Sequence, residues 1–196
     1  GGIVPVPSAG TTLNFTSNVA AYYARNNLAN ITANPFLLNR LNLSNNTAGS
    51  FIQYNSLRFT ASDGVDPVID QSGSQQFQIF SNLILDNTTS VTGNGGGVLL
   101  IGTNGNTREG LILGSGGLIF SNSHTTGLFA PNTYSGGTTL TAGSVAAGNA
   151  TALGSGLVTL NGGNLRCSTG TGSIALANLF SLQADSSLKL AVQQQR

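Results

Sequence analysis

The sequence predicts an all-β chain wound as a parallel β-helix, a β-solenoid, on three observations. Charged residues make up only 7% of the 196 positions while hydrophobic residues make up 39%, against roughly 25% charged in ordinary globular proteins. Polarity comes instead from Asn, Ser and Thr, with 27 Gly, a mixture that suits exposed strands and tight turns and disfavours helix interiors. Short apolar runs bounded by Gly, Asn and Ser follow one another almost throughout. Similar phrases also return, with SGGTTLTAGS at 135 and SGLVTLNGGN at 155 following NGGGVLLIGT (94–103) and SGGLIFSNS (115–123). A repeat of about twenty residues is a coil length, and each coil is too thin to bury its own apolar side chains without neighbours above and below.

In chain order, TLNF (12–15) is the first candidate strand. With the proline-stiffened, hydrophobic IVPVPSAG before it, residues 1–18 read as an extended N-terminal segment suited to strand donation. Ile3, Val4, Val6, Leu13 and Phe15 are its candidate subunit contacts. VAAYYARNNLAN (19–30) is the one stretch that fits a short helix, with Asn18 as N-cap and Val19, Tyr22 and Tyr23 on one side. The tyrosine pair suits a strand equally well.

Strand-like runs then follow at FLLNRLNLS (36–44), FIQYNSLRF (51–59), QFQIF (76–80), NLILD (82–86), GVLLIG (97–102), GLILG (110–114) and GLIF (117–120). The series continues with TTLTA (138–142), LVTLNG (157–162), NLRC (164–167), SIAL (173–176), FSLQA (180–184) and SLKLAV (187–192). Their period-two alternation with turn punctuation is the strand signature. Residues 19–196 read as a single solenoid domain of about ten coils, a rod on the order of 45–50 Å long at ~4.8 Å per coil. At its far end Leu188, Leu190 and Val192 are a second set of candidate subunit contacts.

Residues 132–165, NTYSGGTTLTAGSVAAGNATALGSGLVTLNGGNL, resemble the autotransporter-associated β-strand repeat of passenger domains. The matching positions are Asn132, Thr133, Tyr134, Ser135, Gly136, Gly137, Thr138 and Thr139, then Ala142-Gly143, Gly148-Asn149, Ala152-Leu153-Gly154 and Gly162-Gly163. Upstream, NPFLLNRLNLS (34–44), SLRFTA (56–61) and SVTGNGGGVLLIGT (90–103) resemble coils that precede this repeat. The resemblance implies a right-handed parallel β-helix on the outside of a Gram-negative-type cell. It makes Asn132, Tyr134, Gly136, Gly137, Thr138, Gly143, Gly154, Gly162 and Gly163 structural repeat positions. The pattern departs at LIFSNSHTTGLFAP (118–131), where Phe120 stands near a position usually held by lysine and suggests a greasier surface that meets a partner. No run of ~10-residue amphipathic barrel strands follows, and the chain opens Gly-Gly. A processed or excised piece of a passenger, or a different use of the repeat, is therefore expected.

The chemistry-bearing residues are few. The one Glu, Glu109, sits in the loop-like NGNTREG, whereas glycoside hydrolysis needs two carboxyl groups about 5–10 Å apart. Asp63, Asp66 and Asp70 in DGVDPVID fit a Ca²⁺ loop or a catalytic trio, but Asp-Gly and Asp-Pro turn chemistry explains the first two outright. His124 has no second histidine for a zinc site and reads as a surface turn residue. Cys167 is the single cysteine, which excludes an internal disulfide and reads as a small buried side chain. GNGGG (93–97) and GSGG (114–117) lack the Lys-Ser/Thr of a phosphate loop and read as turns.

Thr138, Thr139 and Thr141 do not make an ice-binding ladder, because neighbouring coils set Leu157–Thr159 and Ile174–Leu176 beside them. Sequons at Asn14, Asn30, Asn42, Asn45, Asn87 and Asn149 are no more than such a composition gives by chance. A net charge of +1 with scattered basic residues argues against nucleic acid. The longest apolar run, VLLI (98–101), is far short of the ~20 residues that span a bilayer. The expectation is a secreted, non-enzymatic rod without cofactor or metal, self-associating head-to-tail through its ends as a cell-surface filament and meeting glycans or other cells. The alternatives are a fragment of a monomeric adhesin passenger and, less favoured, a polysaccharide-acting enzyme.

Overall fold

Apolar residues at alternate positions, broken every few residues by Asn, Gly or Ser, give strands too short to stand alone and corners that turn the chain back onto itself. The computed structural model of the chain describes residues 4–16, 21, 23–26, 34–102, 110–168 and 174–189. Its first coils carry β1 (Thr12–Phe15), β2 (Tyr23–Asn26), β3 (Phe36–Leu38), β4 (Arg40–Leu43), β5 (Ser50–Tyr54) and β6 (Leu57–Phe59). The middle coils carry β7 (Val68–Gln71), β8 (Phe77–Ile79), β9 (Leu83–Leu85), β10 (Thr89–Thr92), β11 (Leu99–Ile101) and β12 (Ile112–Gly114). Then come β13 (Leu118–Phe120), β14 (Thr125–Leu128), β15 (Thr138–Leu140), β16 (Ser144–Ala147), β17 (Val158–Leu160), β18 (Asn164–Cys167), β19 (Phe180–Leu182) and β20 (Ser187–Lys189).

These strands stack into three parallel sheets. The first runs β1-β4-β7-β10-β13-β15-β17-β19, the second β2-β5-β8-β11-β14-β16-β18-β20, and the third β12-β9-β6-β3. The chain is thus a parallel β-solenoid, and inward residues of all three sheets meet in one core. Leu41, Ile69, Leu140 and Leu160 of the first sheet, Phe77, Ile101 and Val145 of the second, and Leu38, Phe59 and Leu85 of the third are all fully buried.

Among the described residues eight rungs form where about ten coils were expected, so the rod they make is nearer 35 Å at ~4.8 Å per rung. The coil length explains the difference. Asn14 and Asn42 pair across 28 residues and Asp70 and Thr92 across 22, and only from residue 112 on does a 20-residue spacing appear. The early coils are longer because their corners are larger. One holds a small antiparallel turn closed by Ser62 and Val65.

The helix alternative over 19–30 gives way to β2, whose Tyr23, Ala24, Arg25 and Asn26 pair with Phe51, Ile52, Gln53 and Tyr54. Asn18, Val19 and Tyr22 lie outside the described residues. FLLNRLNLS and FIQYNSLRF each divide into two strands of different sheets. At the first break the Asn39 amide donates to Thr60 O and Val65 O, both at 3.0 Å. At the second, Tyr54 turns with φ 80°. Ile174–Leu176, read as part of a strand, is not one.

After β12 the third sheet gives way to irregular backbone that keeps its column. Thr133 N–H donates to Ile112 O and Ser135 N–H to Gly114 O, and one coil later Ser155 N–H donates to Tyr134 O. This wall contains Asn132, Tyr134 and Gly154 of the family-like block.

Candidate functional site

The repeat positions form an inter-coil clamp. The Asn132 side chain accepts a 2.8 Å hydrogen bond from Ile112 N–H and donates a 2.7 Å bond to Ala152 O, so it links the coil below to the coil above. It is 2% exposed, a burial that only complete pairing makes tolerable. Tyr134 is fully buried. Its hydroxyl lies 2.6 Å from Thr138 Oγ1, and Thr138 donates onward to Leu153 O at 3.1 Å, so the tyrosine donates to the threonine. Burial pushes the Tyr134 phenol well above its ordinary range, only partly offset by the Thr138 bond.

The backbone bonds set Tyr134 in a column between Gly114 and Gly154. A Cβ on Gly154 would lie 2.4 Å from Tyr134 O and 3.0 Å from the ring, and its φ is +67°. Gly137, Gly143 and Gly162 likewise turn with positive φ. Gly136 is required by close approach instead, since its Cβ would fall 2.5 Å from the Gly116 carbonyl carbon. Gly163 is buried, and a Cβ added to it would lie 2.8 Å from Leu140 Cβ. Every repeat position has a packing or hydrogen-bonding task.

The candidate reactive groups are dispersed. Asp63 occupies the Ser62–Val65 turn with φ 51°, Asp66 is exposed, and Asp70 accepts a 2.8 Å bond from Thr92 on the outside of the first sheet. Glu109 lies outside the described residues. Among those described, no group of three or more His, Cys, Asp and Glu could hold a metal ion, and no helix is long and apolar enough to cross a membrane. The one ion pair among them joins Arg58 Nε to Asp86 Oδ2 at 2.8 Å. The hydrogen bond from Arg58 holds the Asp86 carboxyl below its usual value.

Three side chains sit differently from expectation. His124 is 6% exposed rather than on the surface, because the turn folds its ring onto Asn122, 2.8 Å from Nδ2 to Nδ1. Phe120 is fully buried, so it supplies core and not a partner surface: β13 alternates, and Leu118 and Phe120 are its inward positions. Cys167 is half-buried. It continues the column of fully buried Ala147 but lies in the penultimate rung. Thr139 stands beside Thr159, which stands beside Ser181 rather than Ile174–Leu176, while Thr138 points inward.

The candidate subunit contacts separate into two kinds. Leu13 and Phe15 belong to β1, pair with Leu41 and Leu43, and pack on the chain's own core. The segment from Thr12 is therefore the first rung of the solenoid and not a free arm. Val4 and Val6 are 62% and 73% exposed. Leu188 lies in register with Leu165 on β20, and Ile3, Leu190 and Val192 fall outside the described residues.

Two features were missed in the sequence. At one end face Leu179, Phe180 and Leu182 are exposed. Near the other, Tyr23, Phe51, Phe80 and Tyr54 gather with Arg25 on the outside of the second sheet. The first was readable as the apolar run NLFSL; the second needs the register, since its members are scattered over 58 positions of ordinary strand alternation.

The fold and its stacked columns define a parallel β-solenoid protein. No family model, curated protein or solved structure compared with the chain matches it. The likeness to the autotransporter-associated repeat rests on the residues quoted for it.

Proposed function

We propose that the chain is a non-enzymatic, extracellular structural protein whose solenoid stacks head-to-tail with further copies into a cell-surface filament. The observation that carries this reading is a contrast within single columns. Val158 and Leu160 are fully buried, whereas Phe180 and Leu182, next in the same register, are 39% and 70% exposed. At the other end Leu13 and Phe15, with Ala24, Phe36, Ile52 and Leu57, line an apolar hollow of about 150 Å³. The first two sheets also end on edge strands, β1 and β2 at one end and β19 and β20 at the other, where backbone groups can continue the ladder, whereas at β3 Ser8 N–H already donates to Leu37 O. One face of a copy thus complements the opposite face of the next, a heterologous contact that does not close.

Low charge, abundant Asn, Thr and Gly, and the likeness of residues 132–165 to passenger repeats support a location outside the cell. The dispersal of Asp63, Asp66 and Asp70 supports a non-enzymatic reading over a polysaccharide-cutting one. A second reading, a stretch of one longer monomeric passenger, is favoured by the near-regular coil spacing after residue 112, 19 to 23 residues, which further coils of the same chain would continue.

Sedimentation velocity over a dilution series separates the two. The filament reading expects concentration-dependent growth that Leu182→Lys abolishes while the circular dichroism stays that of a β protein. A wild-type chain that remains monomeric throughout sinks it and leaves the passenger.

A further inference from the structure

We propose that the outer face of the second sheet, over its first three rungs, is a binding strip for an acidic polysaccharide. Tyr23 and Phe51 are neighbours in register on β2 and β5, with ring centroids 4.3 Å apart, and Phe80 follows at 5.4 Å, edge-on to Phe51. Tyr23 is 65% exposed and Tyr54 56%. These rings lie outside the core, where burial would not have called for them, and the whole chain has only 4 Tyr, 9 Phe and no Trp.

Two further features shape the strip. Tyr54 makes the β5–β6 corner with φ at 80°, a left-handed conformation that costs a bulky side chain, and its ring is left exposed beside the strip. The Arg25 guanidinium carbon lies 5.6 Å from the centre of the Tyr54 ring, a cation–π placement that fixes the cation at the surface. Among the described residues no carboxylate lies within ion-pair distance of Arg25. The strip therefore presents two exposed tyrosines, Tyr23 and Tyr54, beside a guanidinium with no carboxylate partner among the described residues.

A uronic-acid chain matches this chemistry. The C–H face of a pyranose stacks on an aromatic ring, and its carboxylate takes charge-assisted hydrogen bonds from a guanidinium. Rungs about 4.8 Å apart lie close to the advance of one sugar along such a chain, so successive rungs meet successive residues. A polynucleotide would need several cations tracking its phosphates, and the net charge is +1. Tyr23 and Arg25 belong to the edge strand β2, and Arg25 also borders the hollow at that end, so a copy stacked on that face would cover part of the strip.

The test uses the full chain in affinity electrophoresis with polygalacturonate, and with dextran as the neutral polymer, while sedimentation is followed on the same samples. Polygalacturonate is expected to retard the protein and dextran not. Tyr23→Ala and Arg25→Gln should each weaken retention about tenfold, and added salt should weaken the wild type more than Arg25→Gln. Arg166→Gln, on the same sheet but six rungs from Arg25, should leave retention unchanged. Tyr54→Gly should raise the thermal midpoint by relieving φ and yet weaken retention, a divergence that a purely structural tyrosine would not produce. Absence of retardation by polygalacturonate, equal retardation by dextran, or retention indifferent to Tyr23→Ala and Arg25→Gln would each overturn the proposal. So would variants whose only effect is on lateral self-association.

Discussion

Asn132 joins three coils with one side chain, and the family-like block is organised around it. Removing its amide in Asn132→Ala leaves Ile112 N–H and Ala152 O without partners in a buried wall, which should lower stability by roughly 2–4 kcal/mol in denaturant titration. Tyr134→Phe is milder, about 1 kcal/mol at neutral pH, because Thr138 keeps its bond to Leu153. Its pH dependence is distinctive. The folded chain keeps the phenol neutral, while in the unfolded chain it ionises near its ordinary 10.0. Its contribution is therefore complete below about pH 10 and is lost as pH rises beyond that. Stability measured from pH 8 to 11.5 should fall more steeply in the wild type than in Tyr134→Phe. The residue types of this block were legible in the sequence. Their partners were not, because Ile112 and Ala152 come into reach only through the coil register.

At the scale of elements, the alternation of polar and apolar residues located most strands but not their corners. FIQYNSLRF reads as one strand-like run, yet β5 and β6 belong to different sheets, divided at a left-handed Tyr54 and the polar pair Asn55-Ser56. Nothing in a tyrosine announces that conformation. FLLNRLNLS divides at Asn39 for a reason visible in retrospect, an asparagine whose amide holds the opposite corner. Strands built from small residues, such as Ser144–Ala147, give too weak an apolar signal to be read, although Val145 and Ala147 are fully buried. The glycine turns were read correctly as turns, and at Gly154 two requirements coincide. Gly154→Ala combines a left-handed φ with a Cβ 2.4 Å from Tyr134 O, and should cost roughly 2–4 kcal/mol in chemical denaturation. A substitution at Gly96, where nothing lies within 4 Å of a Cβ, should leave stability nearly unchanged.

For the whole molecule, the parallel solenoid was legible because its composition and repeating phrases leave few other ways to bury the apolar runs. The number of coils was not. The 20-residue period belongs to the region after residue 112, and the early coils are lengthened by corners that carry no periodic signal. The end faces inherit the logic of the interior: each rung is completed by the one beyond it, so Phe180 and Leu182 at one end and the hollow around Leu13 and Phe15 at the other remain incomplete alone. The central claim is that a second copy completes them. Electron microscopy of the purified chain at rising concentration tests it most directly. The account predicts rods whose lengths are multiples of a subunit about 35 Å long at ~4.8 Å per rung, with growth along one axis only. A population of single-length rods at every concentration would contradict it.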